Sequence, residues 1–421
     1  MNLIRTSLLS LIATSVKMLA SLLIGKAVAI VGGPAGLATI GQFQNFVQIV
    51  LTAAKGGLDT GVTKYTAEYG GDEGKRRSVL STAAWLCGAT CVTVSLVLLI
   101  GARPLSEAFL MTSAYAYVIR LFGLTVCLFV VNSLLLAVVN GLQETRTYIL
   151  VNIAQSLLTL FLTIGLIAWL GLVGALVALA TNQSLVLVVL LWAIRHHAVI
   201  RWSNFRAGFD RAEAVRLLRY SAMTTVSAIV SPLTAVLVRD HIAGTLGQNA
   251  AGQWQAMWYV ASVYLTVVTT SLAVYYLPKL SATLDHEDIR SELKQAFLIV
   301  MPIVTLSASA IYAARKWIVQ LLFTDAFRPM LQLFGWMLLG DIVKMASWLL
   351  SYLMLAKAMT RAFVVTELLF SATFVLLAYV LVNRHGLVGV AYAYTANYVL
   401  YLACIVVVTR RFWRPVPFSA T

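Results

Sequence analysis

Gly171-Leu172-Val173-Gly174 returns as Gly386-Leu387-Val388-Gly389, 215 positions later in a chain of 421 residues. The same spacing joins Asn182 to Asn397. Gly41-Gln42-Phe43-Gln44 answers to Gly252-Gln253-Trp254-Gln255 at an offset of 211, and Leu121-Phe122-Gly123 to Leu333-Phe334-Gly335 at 212. An offset near half the chain length means two homologous halves, and the drift from 211 to 215 asks for one small loop insertion. In a membrane chain, paired repeats set a binding cavity at the interface between two lobes.

Composition makes this a membrane chain. Hydrophobic residues are 60% and charged residues 11%, against roughly 25% charged in ordinary soluble domains. A span needs about 20 apolar residues, and that rule marks 12 spans, six per half, near 7–31, 36–57, 78–100, 115–140, 148–169, 172–194, 217–239, 251–277, 294–314, 331–356, 362–382 and 387–409. Each backbone polar group must find its partner inside its own segment, so the spans are helices. The expected fold is an all-α polytopic membrane protein with two six-helix lobes around a central cavity. The lobes are 1–197 and 217–421, joined by a cytoplasmic linker at 198–216. Ala27-Val28-Ala29 resembles a signal cleavage site, but Lys17 interrupts the apolar run. Ser10 to Gly41 and Ser221 to Gly252 also both span 31 positions, so the first span belongs to the fold.

The net charge is +15, and its distribution orients the chain. With the amino terminus cytoplasmic, loops on that side hold 20 of 31 Lys and Arg, including Lys75, Arg76, Arg77, the run from Arg195 to Arg219, and Arg410, Arg411 and Arg414. Six lie opposite, and five (Lys17, Lys26, Lys55, Arg120, Lys344) fall inside spans. This positive-inside bias makes both termini cytoplasmic and leaves no need for a nucleic-acid partner. Phe209-Asp210-Arg211-Ala212-Glu213 reads as an amphipathic surface helix anchoring the linker. Pro232 and Pro302 kink their spans or mark their ends. Gly56-Gly57 loosens the end of the second span.

Charges within a bilayer point to function, since each disfavours insertion by roughly 2.5 to 3.5 kcal/mol at mid-helix. Lys17 is the deepest cation of the first span and the first candidate for substrate contact. Lys26, nine residues on, points to another face; it is either a second contact or a snorkelling side chain. Arg120 is open to both readings. Asp341 and Lys344 are spaced i, i+3: an ion pair that neutralises itself, or a proton-exchanging carboxylate beside a substrate-binding cation. Glu367 has no local partner, and together with Asp341 it is the candidate for ion coupling. Arg239 with Asp240 reads as an interfacial pair, and Lys55 with Asp59 as a local one. The embedded charge leans cationic, which suits phosphate or pyrophosphate. Gln42, Gln44, Asn45, Gln253, Trp254 and Gln255 offer amides and a ring to a sugar, or bond neighbouring helices. Gln42 and Gln253 are the amides carried forward as site candidates.

Other chemistry is excluded or bland. No phosphate loop is present: Gly25-Lys26 lacks the upstream glycine and the hydroxyl. Cys87, Cys91, Cys127 and Cys404 lie in spans and read as packing. Asp285-His286-Glu287-Asp288 reads as a solvated turn. No catalytic nucleophile, metal site or cofactor is expected.

Several stretches carry a family likeness: Gly33-Pro34-Ala35-Gly36-Leu37, Gly61-Val62-Thr63-Lys64-Tyr65, Tyr276-Leu277-Pro278-Lys279-Leu280 and Gly340-Asp341-Ile342-Val343-Lys344. With Lys17, Lys26, Arg239 and Glu367 at corresponding places, the chain resembles the Wzx polysaccharide-lipid flippases. These belong to the superfamily that includes multidrug and toxic-compound extruders. The resemblance is nearest to the branch handling the enterobacterial common antigen lipid intermediate; Lys55 and Asp59 depart from its pattern. It implies that an undecaprenyl-pyrophosphate oligosaccharide, O-antigen unit or common-antigen intermediate crosses the inner membrane by alternating access, driven by an ion gradient. Glycan polymerase and chain-length proteins would be neighbours. Rival readings are a drug or metabolite exporter of the same fold, a scaffold, and a membrane glycan polymerase or ligase. The last typically needs a larger periplasmic loop than any here.

Overall fold

The computed structural model describes residues 3–195, 202–205, 208–272, 276–283, 285–357 and 359–412. These residues are helical nearly throughout, with no strand among them. The first half holds α1 (Leu3–Ala54), α2 (Asp59–Glu68), α3 (Glu73–Ile100), α4 (Ala102–Leu110), α5 (Ala116–Gly141), α6 (Thr145–Leu170) and α7 (Leu172–Ile194). The second holds α8 (Arg211–Leu246), α9 (Gln248–Ser271), α10 (Leu277–Ala282), α11 (His286–Leu322), α12 (Phe334–Ala356), α13 (Thr360–His385) and α14 (Val388–Thr409).

Ten of the described helical stretches are long and apolar enough to cross a membrane. The difference from the twelve expected has two causes. The first two spans run together as α1, which breaks at Gly33 (φ 58°, ψ −162°) just before Pro34. The span expected at 251–277 is α9, whose Gln253, Gln255, Trp258 and run of tyrosines and threonines lower its hydropathy. Pro232 and Pro302 both lie inside continuous helices, α8 and α11.

Duplication is visible in the geometry. The ranges of α6 and α13 begin and end 215 residues apart. Gly171 has φ 62°, ψ −138°, and Gly386 has φ 62°, ψ −145°, a left-handed turn that disfavours any residue with a Cβ. Three residues on, a Cβ on Gly174 would lie 1.9 Å from the Leu166 carbonyl oxygen, and one on Gly389 would lie 2.0 Å from that of Leu381. Burial repeats as well. The apolar stretches containing α5 and α12 are each 61% buried, whereas those of α6 and α13 are 11% and 17% buried.

The offset of 215 also holds along α5 and α12. Val118, Ile119, Phe122, Gly123, Val126, Phe129 and Val130 are all buried, as are Leu333, Phe334, Met337, Leu338, Asp341, Lys344 and Met345. The pairing of Leu121-Phe122-Gly123 with Leu333-Phe334-Gly335 at 212 is therefore out of structural register.

The chain divides into two compact units, residues 1–32 with 39–236, and residues 33–38 with 237–421. In the first, α5 packs against α2, α3 and α7; in the second, α12 packs against α10, α11 and α14. Residues 198–201 and 206–207 of the expected linker, and Arg414 of the basic cluster, lie outside the described residues. The expected surface helix near Phe209 is instead the lead-in to α8. Asp210 caps that helix, accepting from the Ala212 N–H at 2.8 Å and the Glu213 N–H at 3.3 Å. Ser78 donates to the same carboxylate at 3.2 Å, and the Asp210 N–H donates to Thr82 at 3.0 Å, fastening the lead-in to α3. These donors, the backbone N–H groups foremost, hold the Asp210 carboxyl below the usual carboxylate range.

Candidate functional site

Among the described residues, the second unit gathers buried charge on α12 beside a half-buried carboxylate on α13. Asp341 on α12 is fully buried, yet both of its oxygens are occupied. Tyr264 of α9 donates to Oδ2 at 2.7 Å, and Tyr394 of α14 donates to Oδ1 at 2.7 Å. One carboxylate thus ties three helices together. Gly340 makes this possible: a Cβ there would sit 2.5 Å from Tyr394 Cδ1, so only glycine lets that ring lie flat on α12.

One turn along, Lys344 keeps 9% of its surface exposed. Its Nζ is surrounded by rings, at 4.9 Å from the centroid of Trp348, 5.3 Å from Trp258, 5.4 Å from Tyr398 and 5.8 Å from Tyr394. No ion pair joins it to Asp341 among the described residues, so of the two readings of this i, i+3 spacing the self-neutralising pair does not form. Coulomb attraction still acts on Lys344 from Asp341 and from Glu367. Glu367 is half-buried on α13 and also acts on Tyr398 and Tyr401. The three charges chosen from the sequence in this half therefore form one group. The rings that organise it, Trp258, Tyr264, Trp348, Tyr394 and Tyr398, were missed. A signal existed: Lys344 with Trp348, and Tyr394 with Tyr398, are i, i+4 pairs that share a helix face.

The cations of the first unit are dispersed. Lys17 is exposed and Lys26 half-buried, both on α1; Arg120 is exposed on α5. Lys55 meets Asp59 at 2.6 Å, and Ser133 of α5 donates to the same Asp59 oxygen at 3.0 Å. The turn between α1 and α2 that makes this pair runs through Gly56 and Gly57, both at positive φ.

Two of the amides bond neighbouring segments. Gln42 and Gln253 are both buried, and the Gln253 side chain donates to the Ala326 carbonyl at 3.1 Å. Gln255 accepts from Arg239, whose guanidinium lies 5.5 Å from the Trp254 ring centroid. At 3% exposure Arg239 is a core residue, which corrects the expected interfacial pair with Asp240. Adjacent helical residues do not face each other, so the sequence neighbour was a poor guide. Asp285, Glu287 and Asp288 open α11 instead of forming a free turn. Cys87 and Cys91 are buried, and no group of three metal-ligating side chains occurs among the described residues.

Residues 3–283 match the family described as polysaccharide biosynthesis protein. The lipid III flippase of Escherichia coli (strain K12) is 29% identical over 409 residues, 96% of this chain and 97% of that protein. The lipid III flippase of Shigella flexneri matches with the same figures. Among solved structures, an inward-facing multidrug resistance MATE family transporter of the MOP superfamily superposes with a TM-score of 0.74 at 15% identity, over 94% of this chain and 95% of that one. An outward-facing form superposes at 0.73 and 17% identity, over 97% and 94%. A MOP superfamily transporter from Pyrococcus furiosus, described as having a binding pocket of reverse polarity, superposes at 0.73 and 16% identity, over 98% and 96%. At these identities the likeness establishes a shared two-lobed helical fold.

Proposed function

The chain belongs to the polysaccharide biosynthesis protein family, and from that membership we propose that it is a flippase for a lipid-linked oligosaccharide. Its substrate is an undecaprenyl-pyrophosphate carrying a short glycan, moved from the cytoplasmic to the periplasmic leaflet of the bacterial inner membrane. The end-to-end match to two proteins named lipid III flippase carries this reading. The head group crosses by alternating access between two six-helix lobes while the tail stays in lipid. Both termini are cytoplasmic, by the charge bias of the loops. The chain acts as a transporter without a catalytic step of its own.

Lys17, with Lys26, Arg120 and Lys344, supplies positive charge for the pyrophosphate. Gln42 and Gln253 are offered to the glycan by type and position. Asp341 and Glu367 are the carboxylates for ion coupling, buried or half-buried beside a cation. Proton entry at Asp341 would weaken its bonds from Tyr264 and Tyr394, which links the charge state of one side chain to the packing of α9 and α14 on α12.

The test is a deletion strain in which polyprenyl-linked oligosaccharides are extracted and assigned to a leaflet. Accumulation on the cytoplasmic face is the expected result. Accumulation on the periplasmic face would point to a polymerase or ligase. No accumulation, in a strain without a second flippase, would replace this reading with that of a small-molecule exporter.

A further inference from the structure

The extracytoplasmic side of the chain carries few cations, and most of them are already engaged. With both termini cytoplasmic, that side holds Arg103, Arg239, Arg315, Lys316, Arg328 and Arg384. Arg103 meets Glu107 at 3.6 Å and Arg328 meets Asp325 at 2.9 Å. Arg239 is buried against Gln255. Arg384 stands in the last turn of α13, where the carbonyl end of the helix favours a cation. That leaves Arg315 and Lys316 near the end of α11, and among the described residues no carboxylate stands at ion-pair distance from either. Arg315 folds back along its own helix, donating to the Tyr312 carbonyl at 2.6 Å with its guanidinium 4.0 Å from that ring centroid. Tyr312, Arg315 and Lys316 are i, i+3 and i+4, so both cations share the face of the exposed ring.

Depth fixes what this face meets. No charged residue falls between Lys294 and Arg315. At 1.5 Å per residue that run rises about 32 Å, against about 30 Å for the hydrocarbon core of a bilayer, so both of its ends lie at head-group level. The helix between them faces lipid. Only 11% of the apolar window of α11 is buried, and Ile299, Ile303, Leu306, Trp317 and Leu321 form an exposed stripe at helical spacing. Tyr312 and Trp317 suffice as interfacial anchors. Two adjacent cations, on the side that the charge bias of the loops disfavours, add something an anchor does not need: attraction for an anion in the head-group layer. A zwitterionic lipid brings its own ammonium to its phosphate, whereas an anionic phospholipid leaves its phosphate to an outside cation.

We propose that Tyr312, Arg315 and Lys316 form a binding site for an anionic phospholipid, of the phosphatidylglycerol class, in the periplasmic leaflet. The guanidinium and the ammonium take the phosphate, the Tyr312 ring lies beside the glycerol, and the acyl chains follow the exposed face of α11. A lipid held there fixes the depth of α11 in its leaflet. The site is independent of what the chain transports.

The experiment uses the purified full-length chain in detergent with a photoactivatable phosphatidylglycerol, and maps the cross-links by peptide mass spectrometry. Cross-links should fall on α11 between Thr305 and Leu322. Unlabelled phosphatidylglycerol should displace them at about one-tenth the concentration that phosphatidylethanolamine needs, the scale of one or two cations meeting a net negative charge. Arg315→Gln combined with Lys316→Gln should erase that tenfold difference, and Arg315→Lys combined with Lys316→Arg should keep it. Equal displacement by the two lipids on the unmodified protein overturns the proposal without needing any variant. A preference that survives the double glutamine variant overturns it as well. Displacement by inorganic phosphate as effective as by phosphatidylglycerol would also overturn it, since the site would then be one for a soluble anion.

Discussion

Gly340→Ala tests how the buried carboxylate is held. The added Cβ would lie 2.5 Å from Tyr394 Cδ1, 2.8 Å from Cε1 and 3.1 Å from Thr395 Oγ1. Carbons pack at about 3.5 to 4.0 Å, so the ring must retreat by roughly 1 Å. It has nowhere to go: Tyr394 is buried, with Trp258, Phe374 and Tyr398 at centroid distances of 5.6, 6.0 and 4.9 Å. Retreat also lengthens its 2.7 Å bond to Asp341 past hydrogen-bonding range. Overpacking disfavours the fold by about 1 to 3 kcal/mol, and loss of a bond to a charged group adds about 1.5 to 3 kcal/mol. Replacing a mid-helix glycine by alanine returns roughly 1 kcal/mol. The net loss is roughly 1.5 to 5 kcal/mol. It is read as a lowered melting temperature of the purified protein in detergent. The companion Tyr394→Phe keeps the ring and deletes only the donor. If the bond is already broken in Gly340→Ala, the double variant loses less than the sum of the two single losses. A Gly340→Ala protein as stable as the parent would refute the packing argument, and strictly additive losses would refute the claim that the bond breaks.

The duplicated turn makes a paired prediction: Gly174→Ala and Gly389→Ala should each lower the yield of folded protein sharply, because a Cβ would strike backbone at 1.9 or 2.0 Å. If only one of the pair suffers, the two turns are not equivalent. Asp210→Ala should lower the melting temperature by removing the α8 cap. Because the folded carboxyl lies below its ordinary value of 3.8, its stabilisation is complete above that pH and fades as pH falls through the lowered value. Melting curves of parent and variant should therefore converge in acid; a constant gap would sink the assignment. Lys17→Ala should abolish glycan export at unchanged protein level, measured by surface glycan and immunoblot, and normal export would remove Lys17 from the site.

The membrane class and the doubling were legible because both are written in composition and in long-range spacing. Asp341, Lys344 and Glu367 were legible because a charge in an apolar run stands out by itself. Their partners were not. Tyr264 reaches Asp341 from 77 positions away and Tyr394 from 53, and no local period says which helix faces will meet. Lys344 with Asp341 shows the converse failure, since i, i+3 spacing suggests a pair that two tyrosines pre-empt. The out-of-register match at Leu121 has a simpler cause: three-letter identities recur by chance in apolar helices, whereas a run of seven coincident buried positions does not.

The two copies share a scaffold and differ where charge is held. In the first, Thr125 of α5 donates to the Ala180 carbonyl of α7 at 2.6 Å. At the same offset in the second, Gly340 faces Thr395, so the larger side chain has changed helices while the contact persists. The second copy also holds Asp341 and Lys344 where the first has Val126 and Phe129. Burying an ion in place of an apolar side chain seldom stabilises a core, even when the ion is fully hydrogen-bonded. The first copy puts Ser133, bonded to the Lys55–Asp59 pair, where the second puts Trp348 against Lys344. The first half thus holds its ion pair at the join of α1 and α2, bonded to α5, and the second holds Asp341 and Lys344 on α12 itself. A symmetric scaffold kept only for stability gives no reason for that difference.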